Sequence, residues 1–156
     1  MVVTITLNGK KVEALVKPDT LLIDFVRDHG CYSVKRGCET SNCGLCTVFV
    51  NDKPVLSCSM LAARADGKKI VTLEGMQDEA KEFGAFMANE GSEQCGFCNP
   101  GFIMNVFAML QELEDPTEDE IREYLSGNLC RCSGFVGQTR SILKFLDYKK
   151  RQEEGK

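Results

Sequence analysis

Hydrophobic and polar residues alternate from the first positions of the chain. Val3, Ile5 and Leu7 are separated by Thr4 and Thr6, the period of a strand with one face turned inward. Asn8-Gly9 follows as a two-residue hairpin turn, and Val12, Ala14 and Val16 alternate again on the return. Asp19 or Thr20 is placed to cap a helix whose Leu22, Phe25 and Val26 share a face, with Gly30 as its stop. Thr47–Val50 and residues 54–58 read as a second hairpin turned at Asn51-Asp52, and residues 69–73 as one more strand. Strands flanking a single helix predict an α+β unit of β-grasp type over residues 1–75.

Beyond Glu74 the period changes from two to about 3.6. Phe83, Phe86 and Met87 share a face, as do Phe102, Val106, Met109 and Leu113, then Ile121, Tyr124 and Leu125, then Ile142, Phe145 and Leu146. Four short helices are predicted over residues 76–156, forming a helical bundle. Asn99 is expected to cap the second of them ahead of Pro100, and Thr117 with Glu120 forms a capping box behind Pro116. The boundary near Gly75 rests on this change of period, because no low-complexity linker separates the halves.

Composition narrows the class. A chain of 156 residues suits one ordinary domain or two small ones, and 43% hydrophobic content without a long apolar run predicts a soluble protein with no membrane span. The N-terminus has neither the charged start nor the cleavage site of a secretion signal, so a reducing, cytoplasmic setting is expected, where thiols stay available to metals. A net charge of −4 argues against a nucleic-acid partner. The run Lys149-Lys150-Arg151 reads as a solvated tail.

Eight of the nine cysteines fall into two quartets. Cys38, Cys43, Cys46 and Cys58 have the spacing C-x4-C-x2-C followed by a later cysteine, the arrangement in which plant-type ferredoxins hold a [2Fe–2S] cluster. Each iron of such a centre takes two protein thiolates, so four cysteines complete it. Gly37 and Gly44 are expected to let backbone N–H groups approach the sulfurs. Cys95, Cys98, Cys130 and Cys132 form a second quartet, C-x2-C then C-x-C, for which spacing alone leaves structural zinc nearly as open as iron. Disulfides fit poorly, since nine is odd. Cys31, the leftover, reads as a small buried hydrophobe. His29, the single histidine, reads as a helix-end residue, and its solitude excludes a Rieske centre.

Four segments carry a family resemblance: Lys35-Arg36-Gly37-Cys38, Cys43-Gly44-Leu45-Cys46-Thr47-Val48, Gln94-Cys95-Gly96-Phe97-Cys98-Asn99-Pro100-Gly101 and Gly127-Asn128-Leu129-Cys130-Arg131-Cys132-Ser133-Gly134-Phe135. Together they resemble the iron–sulfur subunit of molybdenum hydroxylases, the xanthine dehydrogenase and aldehyde oxidoreductase family, from the first strand to about residue 146. The resemblance implies a ferredoxin-like β-grasp domain followed by a four-helix bundle, with one [2Fe–2S] cluster in each. It decides the second quartet for iron. It further implies a molybdopterin-binding large subunit beside the second cluster and an FAD-binding subunit beside the first. Residues matching Gln94 and Cys132 approach the pterin in that family.

Three positions depart from the family's usual motifs. Asn99 and Ser133 stand where threonine is usual, and both replacements look neutral. Ser41 stands where glycine is common, so a positive φ there would strain the backbone and alter the first cluster's potential. The resemblance implies a chain that relays electrons and is not catalytic alone. Substrate hydroxylation would take place elsewhere, on a purine or related heterocycle. A free-standing two-cluster carrier is the alternative, and a redox-sensing regulator a third reading without a DNA-binding element to support it.

Overall fold

A computed structural model describes residues 1–132 and 134–155; Ser133, one of the three departures, and Lys156 lie outside the described residues. The first hairpin forms as its alternation demands. Strand β1 (Val2–Leu7) pairs antiparallel with β2 (Lys10–Leu15), and Asn8 and Gly9 both take positive φ, 49° and 80°, as a turn matched to the strands' right-handed twist requires. Val3, Ile5 and Leu7 are buried, each contributing roughly 1.5–3 kcal/mol by leaving water.

Helix α1 (Leu22–Asp28) packs on this sheet through Leu22, Ile23, Phe25 and Val26. Neither Asp19 nor Thr20 caps it. Residues 20–22 are instead engaged with residues 60–62: the Leu22 amide donates to the Met60 carbonyl at 2.7 Å, the Ala62 amide to the Thr20 carbonyl at 2.8 Å, and Thr20 Oγ1 accepts from the Lys17 amide at 3.1 Å. The helix ends where expected. Gly30 is left-handed at φ 88°, and the Cys31 amide reaches back to Val26 at 2.9 Å.

The second hairpin, β3 (Thr47–Val50) and β4 (Lys53–Leu56), turns at Asn51 and Asp52, whose φ values are 48° and 65°. Residues 57–59 leave the strand in a single 3₁₀ turn, so Cys58 sits on a turn rather than a strand end. Strand β5 (Lys69–Val71) pairs parallel with β1 and antiparallel with β3, giving the order β2-β1-β5-β3-β4. The protein is thus a mixed α+β structure, with five strands and five α-helices among the described residues.

Helices α2 (Gln77–Asn89), α3 (Asn99–Glu112), α4 (Glu118–Tyr124) and α5 (Gly134–Glu154) follow. Three expectations are corrected here, two of them on helix bounds. The last helix is not short but 21 residues long, and Asn99 caps nothing. Cys98 is already helical (φ −80°, ψ −20°), so α3 starts from the cysteine turn, and the Asn99 side-chain amide donates instead to Glu93 at 2.9 Å. Thr117 and Glu120 do form the capping box of α4. The run Lys149-Lys150-Arg151 is solvated as expected but is helical and not a tail. It lies in α5, where Lys149 meets Glu82 at 2.6 Å, Lys150 pairs with Asp115, and Arg151 meets Asp147 at 2.6 Å.

Helix α3 is apolar almost all round because it is covered on two sides. Phe102, Val106 and Met109 join Phe83, Ile121, Ile142 and Phe145 in the helical core, where the Phe83 and Phe145 rings pack edge-on with centroids 5.2 Å apart. Met104 and Ala108 instead pack on Phe49. All four residues of β3 are therefore buried: Val48 and Val50 face α1, and Phe49 faces α3. A second tie crosses at Asn105, whose Nδ2 donates to Thr47 Oγ1 at 2.9 Å.

Candidate metal centres

The first cysteine loop runs from Arg36 to Cys46, between α1 and β3, and wraps its sulfurs in backbone amides. Amides of Asn42 and Thr40 draw the Cys38 thiol down to about 6, so an anion is favoured there. Burial raises the Cys43 thiol despite amide donation from Leu45 and Gly37. Burial likewise pushes Cys46 up to about 12, against donation from the Cys58 amide. Cys38 interacts with Cys43, and Cys46 with Cys58. Gly37 has its expected role, since its amide faces Cys43 and a Cβ would lie 2.7 Å from Leu45 Cδ2.

Gly44 has a different role. Its φ is 74°, and a Cβ would strike Asn128 Nδ2 at 2.5 Å and the Gly127 carbonyl oxygen at 2.8 Å. It is small because the second cysteine region presses on it. Ser41 has φ 56°, the strained conformation anticipated for a side chain in place of glycine, and its hydroxyl lies 3.5 Å from Cys58 Sγ.

The second quartet is assembled from the turn before α3 and the segment between α4 and α5. Its four cysteines line one cleft of about 490 Å³, and Cys43 and Leu45 of the first loop form part of its wall. Cys132 Sγ lies 3.6 Å from Cys95 Sγ, and Cys98 interacts with Cys130. The Phe97 amide donates to Cys95 at 3.5 Å and pulls its thiol below the ordinary value, while the shared hydrogen bond with Cys95 raises Cys132. Burial pushes Cys98 up to about 11.

Thus the eight thiols meet two by two. Two thiolates on one tetrahedral iron with bonds of about 2.3 Å stand roughly 3.8 Å apart, close to the Cys95–Cys132 separation and far from a disulfide's ~2.05 Å. Among the described residues no three Cys, His, Asp or Glu side chains converge as one mononuclear ion would need, and no disulfide joins the cysteines. Pairs of thiols, supplied with amide donors, fit a binuclear cluster of net negative charge.

Other expected residues fall as follows. Gln94 is exposed in the bend immediately before Cys95, five residues past the end of α2. Cys31 is buried, 4% exposed, with the Asn8 amide 3.5 Å from its sulfur, and burial raises its thiol. It stands apart from both quartets. His29 closes α1, with Nδ1 2.7 Å from the Phe25 carbonyl. Sequence reasoning missed Asn128, whose side chain is buried against Gly44 and Gly101, and Gln138, a polar residue on the Ile142–Phe145 stripe of α5. An interruption of that apolar stripe was the available signal for Gln138.

Geometry therefore defines a protein with two closely apposed four-cysteine sites, each of the composition that a [2Fe–2S] centre takes. Comparison with known proteins agrees. Residues 5–73 match the family described as a 2Fe-2S iron-sulfur cluster binding domain, and residues 72–143 match a [2Fe-2S] binding domain. The nicotinate dehydrogenase small FeS subunit of Eubacterium barkeri is 42% identical over 86% of this chain and 87% of its own. The xanthine dehydrogenase iron-sulfur-binding subunit of Escherichia coli is 44% identical over 88% and 89%. In the crystal structure of quinoline 2-oxidoreductase from Pseudomonas putida 86, a chain superposes with a TM-score of 0.84 at 36% identity, covering 91% and 90%. The protein belongs to the family of iron–sulfur subunits of molybdenum hydroxylases. Its role is electron transfer within an oxidoreductase complex, and it is not catalytic alone.

Proposed function

We propose that Cys38, Cys43, Cys46 and Cys58 hold one [2Fe–2S] cluster and Cys95, Cys98, Cys130 and Cys132 the other, and that electrons enter at the second and leave from the first. The observation that carries this direction is the surface around the second quartet. Cys95 and Cys132 are exposed, and Phe97, Leu129 and Phe135, which line the same cleft, are 46–49% exposed. An apolar rim around an exposed pair of ligands is what a docked partner covers. That partner is a molybdopterin-binding subunit, with Gln94 and Cys132 toward the pterin, and an FAD-binding subunit takes electrons at the first cluster. The bound clusters supply one-electron redox chemistry; the chain's residues hold them, donate hydrogen bonds to their sulfurs and exclude water.

The sheet with α1 (residues 1–75) is read as a β-grasp ferredoxin-like domain, and α2 to α5 (residues 76–156) as a four-helix bundle. Among the relatives' names nicotinate, xanthine, nicotine and caffeine outnumber aldehyde, which supports a purine or related N-heterocycle as the complex's substrate. No helix among the described residues is long and apolar enough to cross a membrane, and a cytoplasmic location is proposed with it. Purified with its partners, the chain co-migrates with flavin- and molybdenum-containing subunits and carries about four irons and four labile sulfides, two of each per cluster. A red-brown chain that stays a small monomer beside those subunits would instead support a free-standing carrier. Stoichiometric zinc without visible absorption would remove both readings.

A further inference from the structure

Gln138 occupies a position at which the fold has no need of an amide. It shares the inward stripe of α5 with Ile142 and Phe145, is 2% exposed, and lies in the first turns after the second cysteine pair. Its carbonyl oxygen is buried without a hydrogen-bond partner among the described residues. A buried orphan acceptor is destabilising, and an apolar side chain of similar size would avoid that penalty. The other end of the same amide is engaged: Nε2 donates to Cys98 Sγ at 3.8 Å. A metal-bound thiolate can only accept, so this orientation of the amide is the one a cluster requires.

Cys98 is also less open to donors from water than two of the other ligands of its centre. Cys95 and Cys132 are exposed, whereas Cys98 is partly buried, and the adjacent Asn99 turns an acceptor toward it, Oδ1 at 3.7 Å. Once the sulfur is a thiolate, Asn99 Oδ1 offers it nothing. Hydrogen bonds to cluster sulfurs stabilise the more negative, reduced state and so raise the reduction potential.

We infer that Gln138 tunes the second cluster, its side-chain N–H donating to the Cys98 thiolate and raising that centre's reduction potential above the value the bare pocket would give. The inference rests on the ligand assignment proposed above. It makes the second centre a better acceptor for the electron that arrives from the partner subunit. Gln138 acts through Cys98 and is a positioning residue, not a catalytic one.

The test is an EPR-monitored redox titration of the full chain carrying both clusters. In Gln138→Leu the midpoint of the second centre falls, by about tenfold in the oxidised-to-reduced ratio or ~59 mV for a one-electron couple. The first centre's midpoint and the iron content stay unchanged. An unchanged second midpoint in this variant with full iron would overturn the inference. A wild-type chain lacking a second iron centre would instead overturn the ligand assignment. Should Gln138→Leu fail to take up iron, Gln138 can be left in place: glutamine labelled with 15N in the side chain, in a Gln94→Ala background, gives a hyperfine coupling to the reduced second centre. Absence of that coupling overturns the inference equally.

Discussion

The backbone amide of Leu129 donates to the carbonyl of Cys43 at 3.0 Å. One hydrogen bond therefore links a cysteine of the first quartet to the residue beside Cys130 of the second. Around it the packing is close: a Cβ on Gly101 would lie 2.5 Å from the Gly44 carbonyl oxygen and 2.6 Å from Leu45 Cα. Electron transfer decays with distance, and this crossing is what holds the two sites together.

Gly101→Ala tests that crossing, because backbone atoms block the added methyl and cannot rotate away. It should cost about 1–3 kcal/mol in stability, as overpacking does, and weaken the magnetic coupling between the two reduced centres. Gly84→Ala is the control. Gly84 lies inside α2, and a methyl added there would meet nothing within 4 Å, so the change should stabilise the protein by about 1 kcal/mol through helix propensity. Urea denaturation read with EPR checks both.

Cys31→Ser should leave about four irons per chain, with a stability loss of about 1–2 kcal/mol from the buried hydroxyl. Serine at any of the eight quartet positions should instead reduce iron to about two. Iron analysis of the nine variants decides the matter, and iron loss in Cys31→Ser would overturn the ligand set.

Ser41 combines a strained backbone with a hydroxyl near Cys58. Ser41→Gly should relieve about 1–2 kcal/mol of left-handed strain while lowering the first centre's potential. Ser41→Ala should lower the potential without relieving the strain. Thermal melting and redox titration separate the two effects, and the second centre serves as the internal reference.

Glu74 joins the loop after α1 to the end of β5. It accepts from the Ser33 amide at 2.8 Å and from the hydroxyls of Ser33 and Thr72 at 2.6 Å each. Burial works to raise its carboxyl, but the Ser33 and Thr72 bonds together outweigh it and hold it below the ordinary value of 4.5. A depressed pKa adds stability above the unfolded value, and that stability is lost only as pH falls through the folded value. Glu74→Gln should therefore cost about 1–3 kcal/mol, evenly between about pH 5 and 8. A cost that already fades from about pH 7 to 6 would contradict this assignment.

Gln94→Ala, in the assembled enzyme, should slow reduction of the clusters by substrate and leave iron and molybdenum content intact. Gln94 is exposed and lies beyond the end of α2, so stability should change by less than about 0.5 kcal/mol. Stopped-flow reduction at the wild-type rate would exclude a role at the pterin.

Local patterns were enough to read both hairpins, the Gly30 helix stop, the Thr117 capping box and the ferredoxin spacing of Cys38, Cys43 and Cys46, because each depends on residues within a few positions of one another. Alternation, a positive-φ pair and a ferredoxin spacing are complete signals in themselves. The failures are the places where another partner took over the group. The Thr20 hydroxyl was taken by the Lys17 amide and the Asn99 side chain by Glu93, while Lys149 and Lys150 were drawn to the distant Glu82 and Asp115. Tertiary structure alone decided that β3 is covered on both faces, that Gly44 is small for the sake of Asn128, and that Gln138 lies against Cys98. The quartets could be counted along the chain, but bringing them to one shared wall required the packing of α3 on the sheet, an interaction between apolar faces that no local spacing encodes.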